Sequence, residues 1–221
     1  MIITDENYRA FPAVANSDLG WLYEQEQNDD TKIDLRAAYA NGTLIDCMIT
    51  EQHRVNIYTR RIEGEDYRYS KAEFDNARKM KAAADKDPFL QQMLKDCHFQ
   101  YISYNQNFEI EHNGFKFELP VKCKWDLRHK TANLGGDIKS TVATTQKQCE
   151  AAFKYFGYDR SRAWYMDIEG TDNDIVIFIS KKPPYNIFKI PIRRGDKIYQ
   201  EGKKKYQELA YKWFTLFGNG K

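Results

Sequence analysis

The chain predicts an α/β fold in which helices surround a single mixed central sheet, and three observations predict it. The first hundred residues carry apolar side chains at helical spacing. After Tyr101 the pattern switches to short alternating or apolar runs broken by Asn113-Gly114, as strands and tight turns require. From Thr145 onward helical and strand-like stretches alternate with no internal repeat or low-complexity linker, so one domain over residues 1–221 is expected.

Taken in order, a short helix is expected near Ser17 to Gln25 and a longer one near Ile33 to Glu51. In the second, Leu35, Tyr39, Gly42, Asp46 and Ile49 fall on one side, which puts an acid in an otherwise apolar stripe. Such an acid needs a partner, either a metal ion or a salt bridge or hydrogen bond. Ser70-Lys71-Ala72-Glu73 is a capping box that opens a helix running towards Asp87-Pro88, and Phe89 to Cys97 reads as a further short helix. Phe108 to Ile110 and Phe115 to Phe117 then form strands across the Asn113-Gly114 turn. Thr145 with Gln148 caps a helix whose apolar stripe of Cys149, Ala152, Phe153 and Phe156 ends at Gly157. Ala163 to Asp167 and Asp174 to Ser180 read as strands, the second apolar enough for a central position. Pro183-Pro184 breaks the chain, Ile187 to Ile192 reads as a strand kept at a sheet edge by Pro191, and a last helix fills much of Asp196 to Phe217 despite Gly202.

Composition bounds the chemistry. With 221 residues, 42% hydrophobic and 14% aromatic content and a net charge of +2, the chain suits a folded domain with a substantial core. It has no run of 18 apolar residues, and Met1 to Glu6 lacks the basic and apolar regions of a signal peptide, so a cytoplasmic location away from membranes is expected. Cys47, Cys97, Cys123 and Cys149 are widely spaced with no C-x-x-C pair, which indicates neither a zinc knuckle nor an iron-sulfur clasp and favours reduced, mostly buried thiols. Residues 1–30 hold seven acids against one arginine, and residues 181–221 hold eleven Lys/Arg against three acids. The basic end, with Tyr185, Tyr199 and Tyr206 interleaved, suits either a phosphate backbone or a solvated helix face.

The chemistry concentrates between Lys122 and Thr141. In a strand Asp137, Lys139 and Thr141 share one face while Ile138 and Val142 turn to the core, and Lys122, Lys124 and Asp126 share a face likewise. If residues 128–135 make a turn, with Asn133 and Gly135-Gly136 as its punctuation, Asp126 and Asp137 meet beside Lys139. Two carboxylates offer hard oxygen ligands to Mg²⁺ or Mn²⁺, and a lysine beside them stabilises a charge-rich phosphate. Asp-x-Lys is a short string, and a solvated hairpin of alternating charge has the same spacing.

The order of these features resembles the PD-(D/E)XK nuclease superfamily, and within it the exodeoxyribonuclease VIII (RecE-like) branch of phages and prophages. The resemblance runs over about residues 8–217. It rests on Tyr8, Phe11-Pro12-Ala13-Val14 and Asn16-Ser17-Asp18-Leu19, which are similar to that family's opening segment, and on Asn41-Gly42-Thr43-Leu44-Ile45-Asp46, similar to its Gly-Thr-x-x-His helix. Leu119-Pro120-Val121-Lys122 leads into Asp126 as the family's strand does, and Ala163 and Tyr165 match part of its Gln-x-Ala-x-Tyr pattern. Asp46 stands in place of the family's metal-binding histidine and Ser161 in place of its glutamine; the additional family glutamate aligns with Glu109 or Glu118.

The resemblance implies an exonuclease that resects duplex DNA ends for homologous recombination. Asp126 and Asp137 would bind Mg or Mn, with the Ile138 carbonyl and Asp46 as further ligands, and Lys139 would orient the attacking water. Lys122 and Lys124 would hold the DNA backbone or stand as solvated lysines, and Thr141 is read as a plain strand residue. Double-stranded DNA is the implied substrate and a single-strand annealing protein the implied partner. Relatives that digest processively form rings, so a homo-oligomer is compatible with the resemblance. The alternatives are a catalytically degenerate DNA-binding or regulatory protein on the same fold, and an endonuclease of the same superfamily.

Overall fold

The computed structural model describes residues 2–26 and 35–218. Its first helices are α1 (Asn16–Glu26) and α2 (Arg36–Thr50). The expected start of the second at Ile33 lies outside the described residues. A 3-10 turn and a two-stranded hairpin follow, β1 (Val55–Asn56) with β2 (Arg61–Ile62), too short to leave a periodic trace in the sequence. The Ser70 hydroxyl accepts from the Glu73 N–H while the Glu73 carboxylate accepts from the Ser70 N–H, so the capping box starts α3 (Lys71–Ala84) as expected. Asp87 caps α4 (Pro88–Asp96), whose first turn accommodates Pro88 because an N–H there has no helical partner anyway.

Five strands form the central sheet in chain order: β3 (His98–His112), β4 (Phe115–His129), β5 (Leu134–Thr141), β6 (Asn173–Ser180) and β7 (Ile187–Arg193). All neighbours are antiparallel except β5 and β6, so the sheet is mixed, as the sequence predicts. Asn113 and Gly114, at φ 51° and 82°, turn β3 into β4 with the positive dihedrals that a two-residue hairpin turn favours. β6 is paired on both sides, and Pro191 sits on the edge strand β7, where its missing N–H breaks no ladder.

The parallel step from β5 to β6 is made by α5 (Gln146–Tyr155), capped by Thr145, and α6 (Tyr158–Glu169). Here the expected strand at Ala163 to Asp167 is wrong. Gly157 and Gly170, both left-handed at φ 63° and 75°, bracket a helix whose buried stripe is Asp159, Arg162, Ala163 and Met166. Two polar members hid its helical period. The last helix, α7 (Lys197–Phe217), is capped by Asp196 and crosses α6 at Gly202, where a Cβ would lie 2.1 Å from the Asp159 carbonyl oxygen.

The sheet buries both faces. Ile175, Ile177 and Ile179 pack with Ile45, Ile49, Met80, Leu90 and Met93 on the side of α2, α3 and α4. Val176 and Phe178 turn the other way, to Trp164, Tyr199 and Trp213 of α6 and α7. Ile138 is buried as expected, but Val142 is 66% exposed because β5 ends at Thr141. The cysteines are free, three buried and Cys97 half-buried.

In α7, three lysines of the basic carboxyl end are held by acids. Lys205 pairs with Asp159 at 2.5 Å, Lys203 with Asp167 at 3.3 Å and Lys212 with Glu208 at 3.0 Å, while Tyr199 and Tyr206 are buried. No described helix is long and apolar enough to cross a membrane.

Candidate active site

β4 and β5 pair only through Leu127–Gly136, Arg128–Gly135 and His129–Leu134, and then separate like the arms of a fork. The freed edge of β4 is taken by the amino-terminal segment: the Val14 N–H donates to the Pro120 carbonyl and the Lys122 N–H to the Val14 carbonyl, at 2.8 and 2.9 Å. At the crotch, the Asp126 carboxylate takes the place of the lost ladder partner and accepts from the Ile138 N–H at 2.8 Å. The expected turn is only residues 130–133, with Asn133 at φ 47°. Gly135 and Gly136 are strand residues kept small by packing, since a Cβ on Gly135 would lie 1.9 Å from the Trp125 ring.

The fork gathers charge. Lys139 Nζ stands 2.6 Å from Asp137 Oδ2 and 3.9 Å from Asp126 Oδ2. Asp46 enters from α2, accepting from Gln100 Nε2 at 3.0 Å and from the Thr50 hydroxyl at 3.2 Å. Its stripe is not the apolar one expected: Leu35 and Tyr39 are exposed, and the face opens towards the fork. Burial, then the neighbouring Asp46 and Asp137 charges, push the Asp126 carboxyl up to about 8. Asp46 is likewise raised by burial, against Lys139 and Gln100. Burial alone would lower the Lys139 ammonium, but Asp137 and Asp126 outweigh it and hold the group above its ordinary range.

Two residues of this cluster escaped the sequence reading. Arg162, 1% exposed, donates Nη1 to Asp137 Oδ1 at 2.9 Å and Nε to Asp174 Oδ2 at 2.7 Å. Its guanidinium lies 4.8 Å from the Trp125 ring and 4.5 Å from that of Tyr165. Asp174 is pushed up to about 6 because burial exceeds the help of Arg162. The available signals were an acid directly before the apolar Ile175 run and an arginine amid Ala163, Trp164 and Tyr165. Read as strands, they pointed to no common site.

Other expected residues lie elsewhere. Lys122 is 1% exposed, and its ammonium donates to the Tyr8 and Phe11 carbonyls at 2.5 and 2.8 Å; a cation so enclosed cannot hold a DNA backbone. Lys124 pairs with Asp5 at 2.6 Å. Both fasten the amino-terminal segment to β4. The Ile138 carbonyl accepts from Lys139 Nζ at 3.4 Å, and Thr141 is a buried strand residue whose hydroxyl accepts from the Ala143 N–H. Ser161 donates to the Tyr158 carbonyl within its own helix, and Glu109 pairs with Lys116 on the β3–β4 hairpin.

The oxygens able to receive a divalent ion are thus those of Asp126 and Asp137, with Asp46 and the Ile138 carbonyl near them. Among the described residues, no three His, Cys, Asp or Glu side chains are gathered as a ready-made metal cage. Asp137 Oδ2 is buried and pairs with the Lys139 ammonium at 2.6 Å.

No family model matches the chain, and no curated protein matches its sequence. Among solved structures, a presumptive exonuclease from Eubacterium rectale is similar over 96% of this chain and 85% of its own, with a TM-score of 0.62 at 16% identity. A phage related exonuclease from Haemophilus somnus 129PT matches over 92% and 94% at 14% identity, with a TM-score of 0.42 too low to carry weight. The first likeness shows a shared fold: a mixed five-stranded sheet flanked by helices.

Proposed function

We propose that the chain is a Mg²⁺- or Mn²⁺-dependent DNA exonuclease of the RecE-like branch of the PD-(D/E)XK superfamily, hydrolysing phosphodiester bonds at duplex ends. One observation carries the reading: Asp126 and Asp137, on diverging strands, both lie within 4 Å of the Lys139 ammonium. The fold shared with the Eubacterium rectale protein supports it.

The residues fit a divalent ion. Four carboxylates, Asp46, Asp126, Asp137 and Asp174, face two cations, Lys139 and Arg162; with all of them ionised two negative charges would remain for one such ion to balance, the ion displacing the proton that burial favours on Asp126. Mg²⁺ keeps several waters and binds through one or two carboxylates together with substrate phosphate oxygens, a demand that two aspartates would meet. Asp126 and Asp137 would hold it, with Asp46 reached directly or through water. Bound there, the ion would polarise the phosphoryl oxygens and acidify a water. Lys139 remains protonated among the carboxylates and donates to the water and to charge developing on the scissile phosphate. Arg162 holds Asp137 Oδ1 and Lys139 pairs with Oδ2 at 2.6 Å, so a divalent ion would share Oδ2 with Lys139. A role in phage-type homologous recombination, with a single-strand annealing protein as partner and a homo-oligomeric ring as assembly, belongs to the same proposal.

A second reading, a catalytically degenerate DNA-binding protein, is favoured by one contact set: Lys139 and Arg162 both pair with Asp137, which weakens its pull on a metal. Incubation with linear and closed circular duplex under Mg²⁺, Mn²⁺ or EDTA separates the readings. The exonuclease consumes linear DNA alone and only with metal. Cutting of circles indicates an endonuclease, and binding without cleavage the degenerate protein.

A further inference from the structure

Aromatic side chains converge on the fork from two elements. Tyr39, Gly42 and Asp46 recur at helical spacing along α2; Tyr39 is 67% exposed, and a Cβ on Gly42 would meet nothing within 4 Å. The turn from α5 to α6 brings Tyr155, Phe156 and Tyr158 in succession. The Tyr158 ring lies 5.8 Å from Lys139 Nζ, Phe156 lies 5.9 Å from Tyr158, and Tyr155 lies 5.0 Å from Phe156. Burial chiefly raises the Tyr158 hydroxyl, with Lys139 opposing and Asp137 and Tyr39 adding to it. The result is a ladder of rings that begins in solvent, with Tyr155 84% and Phe156 61% exposed, and ends at the ammonium between the two carboxylates.

Single exposed aromatics are common on protein surfaces, but successive rings leading to one charged cluster are not explained by chance exposure. Tyr155 and Phe156 meet edge to face at 86°, so the edge of one ring covers a single face of the other and the remaining faces of these exposed rings stay open. Aromatic faces beside a phosphate-handling centre take nucleobases, with little regard to sequence because every base has a π-face. Paired bases within a duplex present no such face; unpaired ones do.

We propose that Tyr39, Phe156 and Tyr155 form a stacking subsite for unpaired nucleobases, so that the strand to be cut reaches the fork as single-stranded DNA. The proposal rests on the reading of the fork as a phosphodiesterase site, and it sets the preferred substrate: frayed or overhanging ends over blunt ones. Open space over Gly42 leaves room for the strand, and continuity with Lys139 places its phosphates at the fork.

The test uses the full chain in EDTA, where cleavage plays no part, with a fluorescent single-stranded oligonucleotide and a blunt hairpin duplex of equal length as probes. Tyr155→Ala and Phe156→Ala, both at exposed positions, are each expected to weaken single-strand binding about tenfold, the scale of one lost base stack. Phe156→Trp should retain it, and Tyr58→Ala, which removes an exposed ring on the β1–β2 hairpin, should not change it. The same proteins are then given linear DNA with Mg²⁺. Ring-dependent single-strand binding without any cleavage would uphold the subsite and remove the proposed hydrolysis. Cleavage with affinities unchanged in both alanine variants would overturn the subsite alone, and absence of single-strand binding by the wild type would also overturn it.

Discussion

The Asp126 carboxylate shares its space with Asp46, Asp137 and one ammonium, and its proton affinity follows from that crowding. Its folded pKa of about 8 lies above the ordinary 3.8, so over that interval the folded chain binds a proton that the unfolded chain releases. The contribution to stability is full below about pH 4 and is lost as pH rises through about 8. In EDTA, the urea midpoint should therefore fall between about pH 5 and pH 8.5, and Asp126→Asn should flatten that slope. A divalent ion competes with the same proton, so Mn²⁺ should raise the thermal midpoint more at about pH 8.5 than at pH 6. Asp46→Ala should weaken Mn²⁺ binding by about tenfold in calorimetry, the scale of a supporting partner; unchanged affinity would remove Asp46 from the site. Arg162→Met leaves Asp174 buried without its cation, and denaturation should show a loss of about 3–5 kcal/mol.

At the scale of elements, the fork depends on two close approaches that only glycine permits. A methyl on Gly135 would press into the Trp125 ring, which supports Arg162, whereas a methyl on Gly202 would meet the Asp159 backbone in α6. Overpacking of this kind costs typically about 1–3 kcal/mol, and backbone yields less than a side chain. Gly202→Ala should therefore destabilise more than Gly135→Ala in urea titrations, while Gly135→Ala should disturb the site more. The helix caps at Ser70 and Thr145 and the Asn113-Gly114 turn were legible because their signals are local. The α6 helix was not, because its buried stripe includes Asp159 and Arg162, whose partners Lys205 and Asp174 lie 46 and 12 residues away. The pairing of Lys122 with the Tyr8 and Phe11 carbonyls spans more than a hundred residues and leaves no trace in spacing.

Across the whole molecule, part of the basic carboxyl end is paired within the fold: Lys205, Lys203 and Lys212 meet Asp159, Asp167 and Glu208. The charge that matters for function lies instead where β4 and β5 part. Alternation and turn chemistry placed Asp126 and Asp137 near each other in sequence reasoning, since both flank one short connection. The divergence of the strands, the entry of α2 and the buried Arg162 arise from packing across the sheet. The account stands or falls on whether that junction cleaves DNA, and the release of label from end-labelled linear duplex, followed against Mn²⁺ concentration, tests this most directly. Wild-type protein should release label only with metal, and Asp137→Ala and Lys139→Ala should each reduce the rate by at least about a hundredfold while remaining folded. Equal rates in wild type and both variants, or release unaffected by EDTA, would contradict it.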